Sequence, residues 1–274
     1  MALVTLSEVL KLAEEKQTAI PSFNIDNIEG TQAIMEAVEM ARSPIILTIG
    51  QGAIRAGMLW PLSDVVRRVA ADSSLPVVMN LDHGASFEQV VTALRAGFTS
   101  VMYDGSHKPL EENIRESQAV VRAAHAVGVS VECELGAVPG VEDGHVFSNT
   151  NLVDLTELET FVSKVDCDAL AVGIGNVHGI SKAVPKLDFD RLTACSRLKT
   201  PPLVLHGGSG IPDEMVKKAI QIGIRKVNVA SELRAEFLRC LKASDSGDFY
   251  ASYKQAKQGV TDLAVKKIRL IYGA

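Results

Sequence analysis

Apolar residues in this chain come in short runs, separated by longer stretches in which they recur every three or four positions. The runs are AIPSFNI (19–25), PIILTIG (44–50), LPVVMNLD (75–82), TSVMYDG (99–105), SVECELG (130–136), ALAVGIGNVH (169–178), PLVLH (202–206) and KVNVAS (226–231). Most are continuously apolar rather than alternating, as expected of strands covered on both faces in a parallel sheet. Between them the period lengthens to that of amphipathic helices, over 28–42, 86–96, 109–127, 156–165 and 212–222. Several helical stretches stop at a glycine before the next strand, at Gly97, Gly128 and Gly223. An amphipathic segment carrying Glu8, Glu14 and Glu15 precedes the first strand, and VTDLAVKKIRLIYG near the end predicts one or two extra helices. Eight strand–helix units in 274 residues favour an α/β chain closed into a (β/α)8 TIM barrel with extra C-terminal helices, over an open doubly wound sheet. With no linker, repeat or low-complexity tract, residues 1–274 are expected to form a single barrel domain.

In such a barrel, chemistry belongs to the C-terminal ends of the strands and stability to the opposite ends. The polar residues follow that rule. The first predicted strand ends in Asn24 and Asp26, the third in Asn80, Asp82 and His83, and the fourth in Asp104. The fifth ends in Glu132 and Glu134, the sixth in Asn176 and His178, the seventh in His206, and the eighth in Asn228 and Ser231. A lone histidine at a strand end is most simply a hydrogen-bonded residue. Three of the six histidines, His83, His178 and His206, converge on one rim only if the barrel closes, and three imidazoles around one point make a zinc site with a position left open. His107, His125 and His145 fall in loops or on a helix.

Composition narrows the classes. A formal charge of −5 offers no basic face for nucleic acid, and no apolar run approaches the length of a membrane span. The N-terminal stretch does not read as a targeting segment. The four cysteines, Cys133, Cys167, Cys195 and Cys240, form no C-x-x-C pair and are expected to be reduced thiols of a cytoplasmic protein.

Two loops add chemistry. His206 runs directly into Gly207, Gly208, Ser209 and Gly210 and then a helix, while NVASEL runs from the last strand into another. Glycines let backbone amides approach an anion, and a helix N-terminus adds its positive end; a turn chosen only for tightness would look similar. Lys182, just after His178 and Gly179, could add a point charge or simply be solvated. The loop 136–151 is long, polar and rich in glycine and asparagine, a candidate lid whose central Glu142 could act as a general base.

The segments NLDHGASFEQV, SVMYDGSHKPLEEN, VECELGAVPGVEDG, GNVHGISK, LVLHGGSGIP and KVNVASELR resemble, in order, the signature segments of class II ketose-phosphate aldolases. The likeness runs over essentially the whole chain and leans toward the tagatose-bisphosphate branch. It implies a zinc-dependent barrel, dimeric or tetrameric, that cleaves a ketose phosphate to dihydroxyacetone phosphate and an aldehyde. By that resemblance His83, His178 and His206 match the zinc ligands. Asp104 and Glu134 match carboxylates that can hold an alternative or second ion. Asp82 matches the group that exchanges a proton with the C4 hydroxyl, and Glu142 the lid carboxylate that moves the C1 proton of dihydroxyacetone phosphate. Gly179, Gly207, Gly208, Ser209, Asn228, Ala230 and Ser231 match the phosphate-binding positions, often accompanied by a sodium or potassium ion. Asn24 and Lys182 are counted with the substrate-binding set.

Departures bear on the substrate. Fructose-bisphosphate enzymes commonly carry an aspartate where this chain has Ala230, which makes fructose 1,6-bisphosphate the alternative substrate. The family as a whole often has a hydroxyl residue where this chain has Gly50 and a tyrosine where it has Ser181. With Arg55 as the one candidate for a second phosphate clamp, another ketose 1-phosphate with a different aldehyde half stays open. A lysine Schiff base is the competing aldolase chemistry, but Lys226 is expected at the start of the last strand, far from the rim. A barrel metal hydrolase would want an H-x-H pair closing the first strand, and SFNIDN has none. A binding subunit without turnover is the non-enzyme alternative.

Overall fold

The computed structural model describes residues 3–142, 145–147, 152–180 and 184–273. The strands are β1 (Ile20–Asn24), β2 (Ile45–Ile49), β3 (Val77–Gly84), β4 (Ser100–Tyr103), β5 (Ser130–Leu135), β6 (Gly140–Glu142), β7 (His145–Phe147), β8 (Ala169–Val172), β9 (Leu203–Leu205) and β10 (Ile224–Val229). The helices are α1 (Leu6–Lys16), α2 (Ile28–Ala41), α3 (Gln51–Arg55), α4 (Leu59–Asp72), α5 (Phe87–Arg95), α6 (Leu110–His125), α7 (Leu155–Lys164), α8 (Phe189–Arg197), α9 (Asp213–Ile222), α10 (Ser231–Lys242) and α11 (Phe249–Tyr272). Eight parallel strands close in the order β1-β10-β9-β8-β5-β4-β3-β2, so the expected (β/α)8 barrel is present and the open sheet is not. The pair α3 and α4, and α8, were not read from the sequence. Of the C-terminal helices α10 completes the eighth unit and α11 is the extra one, packed against α2 and α10.

The strands are short and almost wholly buried because each is covered outside by helices and inside by its neighbours across the barrel. Side chains alternate between these faces. Outward residues such as Phe23, Leu47, Leu81, Val101, Cys133 and Leu205 join the main apolar layer beneath the helices. Inward residues divide by height. At the N-terminal mouth Ile20, Ile46, Val78, Ala169, Ala171 and Val204 form a second cluster, closed by Leu6, Val9, Leu10 and Ala13 of α1. Helix α1 starts at a capping box in which Thr5 and Glu8 satisfy each other's backbone amides, so the plug begins at a defined residue. Among the described residues, no helix is long and apolar enough to cross a membrane.

Above this plug the interior turns polar. Ser22 meets Thr48 at 2.9 Å, and Lys226 meets the Glu132 carboxylate at 2.5 Å, both residues being fully buried. This corrects the sequence reading at two places. Strand β10 begins at Ile224, directly after the glycine that ends α9, so Lys226 is an interior residue of the barrel rather than its first. Glu132 points into the middle of the barrel, not to the rim. Burial alone would raise the Glu132 carboxyl; Lys226 and the bond from His206 bring it down to about 2. Replacing Lys226 by Met is therefore expected to cost roughly 3–5 kcal/mol, because it leaves a buried carboxylate without its cation. Urea unfolding should show that loss for Lys226→Met, and much less of it when Glu132→Gln is added.

Candidate active site

Asp82 and His83 are consecutive, and on a regular strand they would face opposite sides of the sheet. The pairing of β3 with β4 slips between Leu81 and Gly84, so β3 carries one residue more than its partner over that step. His83 takes φ +46°, a left-handed conformation that residues other than glycine rarely adopt. The combined bulge and left-handed step turns both side chains into the barrel, where Asp82 is 1% and His83 7% accessible. Gly84 then lets β4 close in: a Cβ there would lie 2.4 Å from the Met102 carbonyl oxygen. Each Asp82 oxygen receives an amide, from Asn24 on β1 and from Asn228 on β10, both at 3.3 Å.

The predicted sixth strand stops at Val172 as β8, and His178 sits in the turn beyond it rather than at a strand end. The Asn176 side chain organises this turn, accepting from the Ile174 amide and donating to the His206 carbonyl. The His178 amide donates to the Pro139 carbonyl at 2.7 Å, just before β6, which pairs antiparallel with β7 in the candidate lid. His206 follows β9 directly. The three rings converge, with centroids 5.0 Å (His83–His178), 4.8 Å (His83–His206) and 5.9 Å (His178–His206) apart.

Carboxylates set how the rings face. His83 Nδ1 lies 2.9 Å from Asp104, and His206 Nε2 lies 2.7 Å from Glu132. Those bonds leave His83 Nε2 and His206 Nδ1 facing each other at 3.1 Å. A tetrahedral ion with bonds of about 2.0–2.1 Å holds its ligands about 3.3 Å apart, so this separation suits two ligands of one zinc ion. One nitrogen from each of the three histidines lies within 4.8 Å of the others, and His83, Asp104 and Glu134 form a second such group. Imidazoles oriented by carboxylates are the usual surroundings of a metal, so the donor set fits the ion expected from sequence.

Burial shapes the charges. Burial by itself would lower the His83 imidazole, but Asp82, Asp104 and Glu134 around it push it well above its ordinary value. Burial would raise Asp104, yet bonds from His83 and from the Ser106 hydroxyl and amide hold it well below the usual carboxylate range. Glu134 goes the other way, raised by burial and by the nearby Asp104 charge. Its Oε2 is buried without a hydrogen-bond partner among the described residues. His206 is lowered, mainly by burial.

Beside the histidines lies the glycine loop. Gly207 has φ +65° and packs so close to the next loop that a Cβ would meet the Val177 carbonyl oxygen at 2.2 Å. The Gly208 amide donates to the Asn228 carbonyl at 2.9 Å, tying the loops after β9 and β10 together. The Ser209 hydroxyl accepts from the amides of Ala230 and Glu232, so it caps the first turn of α10, which Ser231 opens. Gly210 donates its amide to the Glu232 carboxylate at 2.6 Å. Gly179 follows His178 in a left-handed turn. Lys182 and Ser181 lie outside the described residues. The Glu142 backbone ends β6 opposite His145, and its side chain lies outside the described residues. Sequence reasoning did not select Glu132 and Lys226 as site residues; each lies two positions from a selected one (Glu134, Asn228), and that period of two on a strand was the available signal.

Residues 4–274 match the family model described as fructose-bisphosphate aldolase class-II. The chain is 44% identical over 245 residues to a fructose-bisphosphate aldolase of Geobacillus stearothermophilus, covering 88% of this chain and 85% of that protein. It is 42% identical over 261 residues to one of Thermus caldophilus, covering 86% and 85%. The crystal structure of the YdjI aldolase from Escherichia coli K12 superposes with a TM-score of 0.89 at 32% identity, covering 98% of this chain and 97% of that one. If Asp104 orients His83 for a metal, Asp104→Ala should weaken zinc binding by about 10–100-fold. Competition with a chromophoric chelator measures that ratio directly.

Proposed function

The chain belongs to the class II fructose-bisphosphate aldolase family, and from that premise we propose that it cleaves a ketose 1,6-bisphosphate, with tagatose 1,6-bisphosphate favoured, to dihydroxyacetone phosphate and glyceraldehyde 3-phosphate. The observation that carries this reading is the convergence of His83, His178 and His206 beside an Asp82 carboxylate held by two amides. Aldol cleavage needs an electron sink next to the carbonyl, and zinc held by the three histidines supplies one as a Lewis acid. Asp104 and Glu134 are the carboxylates that could hold an alternative or second ion.

The chain's own groups handle the protons. Asp82 takes the proton of the C4 hydroxyl as the C3–C4 bond breaks and the C4 oxygen becomes the aldehyde; in synthesis it returns it. The amides of Asn24 and Asn228 keep its carboxylate turned toward that oxygen. Glu142, carried on the β6–β7 hairpin, delivers a proton to the carbon from which the aldehyde has left. Gly179, Gly207, Gly208, Ser209, Asn228, Ala230 and Ser231 are the positions that surround the phosphate at the start of α10, with Lys182 and a sodium or potassium ion beside it. An anchor remote from the breaking bond orients the substrate. Assembly as a homodimer or homotetramer in the cytoplasm is part of the same proposal.

The tagatose preference rests on Ala230 and on the DGSHKPLEEN and NVASEL segments, whereas the relatives above bear the name fructose-bisphosphate aldolase. A coupled assay for dihydroxyacetone phosphate with both sugars decides between them. We expect faster turnover of the tagatose ester, loss of activity with a chelator, and recovery with zinc. The reverse rate ratio would make the fructose ester the substrate. No turnover of either sugar by zinc-loaded protein would remove the bisphosphate reading. Asp82→Asn should lower kcat by about 10²–10⁴-fold, the range for loss of a general acid–base group.

A further inference from the structure

Asp82 and His83 stand outside the β-ladder on both sides. The pairing of β3 with β2 ends at Leu81, and the pairing with β4 resumes only at Gly84. A left-handed residue in that gap persists only when its surroundings hold it. The holding groups are two glutamine side chains. Gln51, the first residue of α3, donates from Nε2 to the Asp82 carbonyl at 3.2 Å and the His83 carbonyl at 2.9 Å. Gln89 lies in the first turn of α5, where its own amide is bonded to the Ser86 hydroxyl at 3.2 Å. The two carboxamides bond each other in both directions at 3.0 Å, so the carbonyls of residues 82 and 83 share the other Nε2 hydrogen of Gln51. Gln89 Oε1 also accepts the Ala85 amide at 2.7 Å.

We propose that Gln51 and Gln89 form an amide clamp that holds the left-handed step of β3, and so act as positioning residues that aim Asp82 and His83 at the same point. The clamp grips the carbonyls of residues 82 and 83 and the amide of residue 85. These are three backbone groups that a regular strand would commit to its neighbours. The glutamine contacts go to backbone groups of β3 and to each other, so they act through the backbone. Gln51 comes from the β2–α3 junction and Gln89 from α5, so the clamp ties the units on either side of the bulge to it. The inference rests on the reading of His83 as a metal ligand and Asp82 as a proton-transfer group.

The test uses the full chain with Gln51→Met and Gln89→Met, singly and together, which keep side-chain length and remove the amides. Zinc affinity is read by competition with a chromophoric chelator, and kcat and KM are read on the zinc-saturated proteins. Each single variant should bind zinc about tenfold or more weakly, the scale of lost outer-shell support. On saturation kcat should fall while KM stays close to wild type, because the substrate-anchoring groups are untouched. The double variant should lose little beyond the worse single one, as residues acting as a unit do. Wild-type zinc affinity and kcat in both single variants would overturn the clamp, even if their melting temperatures fell. Additive losses in the double variant would overturn the coupling of the two glutamines. If Gln51→Met does not fold, Gln89→Met carries the test, since it removes the partner that orients Gln51. A wild-type protein that takes up no zinc would overturn the metal reading itself, and the clamp with it.

Discussion

A charge taken out of water must bring its partner with it, and the interior of this barrel is organised by that constraint. Glu132 and Lys226 are both fully buried, and each would be strongly disfavoured alone. Their contact makes a neutral pair, and the second oxygen of Glu132 is then free to accept from His206. Asp104 does the same for His83 with help from Ser106. The site thus contains carboxylates whose proton affinities are driven apart, Asp104 and Glu132 down and Glu134 up. Burial raises all three carboxyls; the adjacent cation or hydrogen-bond donor decides which stays ionised.

The same eight strands serve two purposes at two heights. Near their starts, inward side chains are aliphatic and α1 seals the mouth, so that end contributes transfer energy. Two residues further along β1, β2 and β3 the inward positions become Ser22, Thr48 and Asn80, with Glu132 on β5, and beyond them come Asn24, Asp82 and Glu134. A polar interior is tolerable there because the groups bond one another across the barrel. Asn80, whose side-chain atoms have no hydrogen-bond partner among the described protein groups, marks a level suited to ordered water.

Function is concentrated where regular structure is interrupted. The one-residue slip in β3 and the turn at Asn176 each place a histidine where a continuing strand would not, and Gly207 ends the strand path just after His206 by crossing tightly over Val177. The interruptions are expensive, and side chains compensate them: Gln51 and Gln89 from neighbouring units for the first, and Asn176 within the turn itself for the second. In a family whose members are carbon–carbon lyases, such interruptions let one rim bring three imidazoles, the Asp82 carboxylate and a glycine loop together.

Much of this was legible in the one-dimensional pattern. Continuous apolar runs of strand length, spaced by helical periods, determined a parallel sheet, and eight of them determined its closure. The histidines and glycines at the run ends marked the rim, because a buried strand has no other use for them. The family segments then implied a role for each residue, which is part of the proposed function. Three things were decided only by tertiary structure. The start of β10 at Ile224 moved Lys226 from a strand end into the core, since the charged Arg225 and Lys226 after Gly223 break the apolar run that marks a strand. The pointing of Asp82 and His83 to one side contradicts the strand period itself, and only the slip against β4 and the glutamine contacts, 31 and more residues apart in sequence, produce it. The tautomers of His83 and His206 depend on Asp104, after the neighbouring strand, and on Glu132, two strands away, 21 and 74 residues apart in sequence. Local sequence encodes periodicity and turn chemistry; which distant groups share one desolvated point is settled only when the sheet closes.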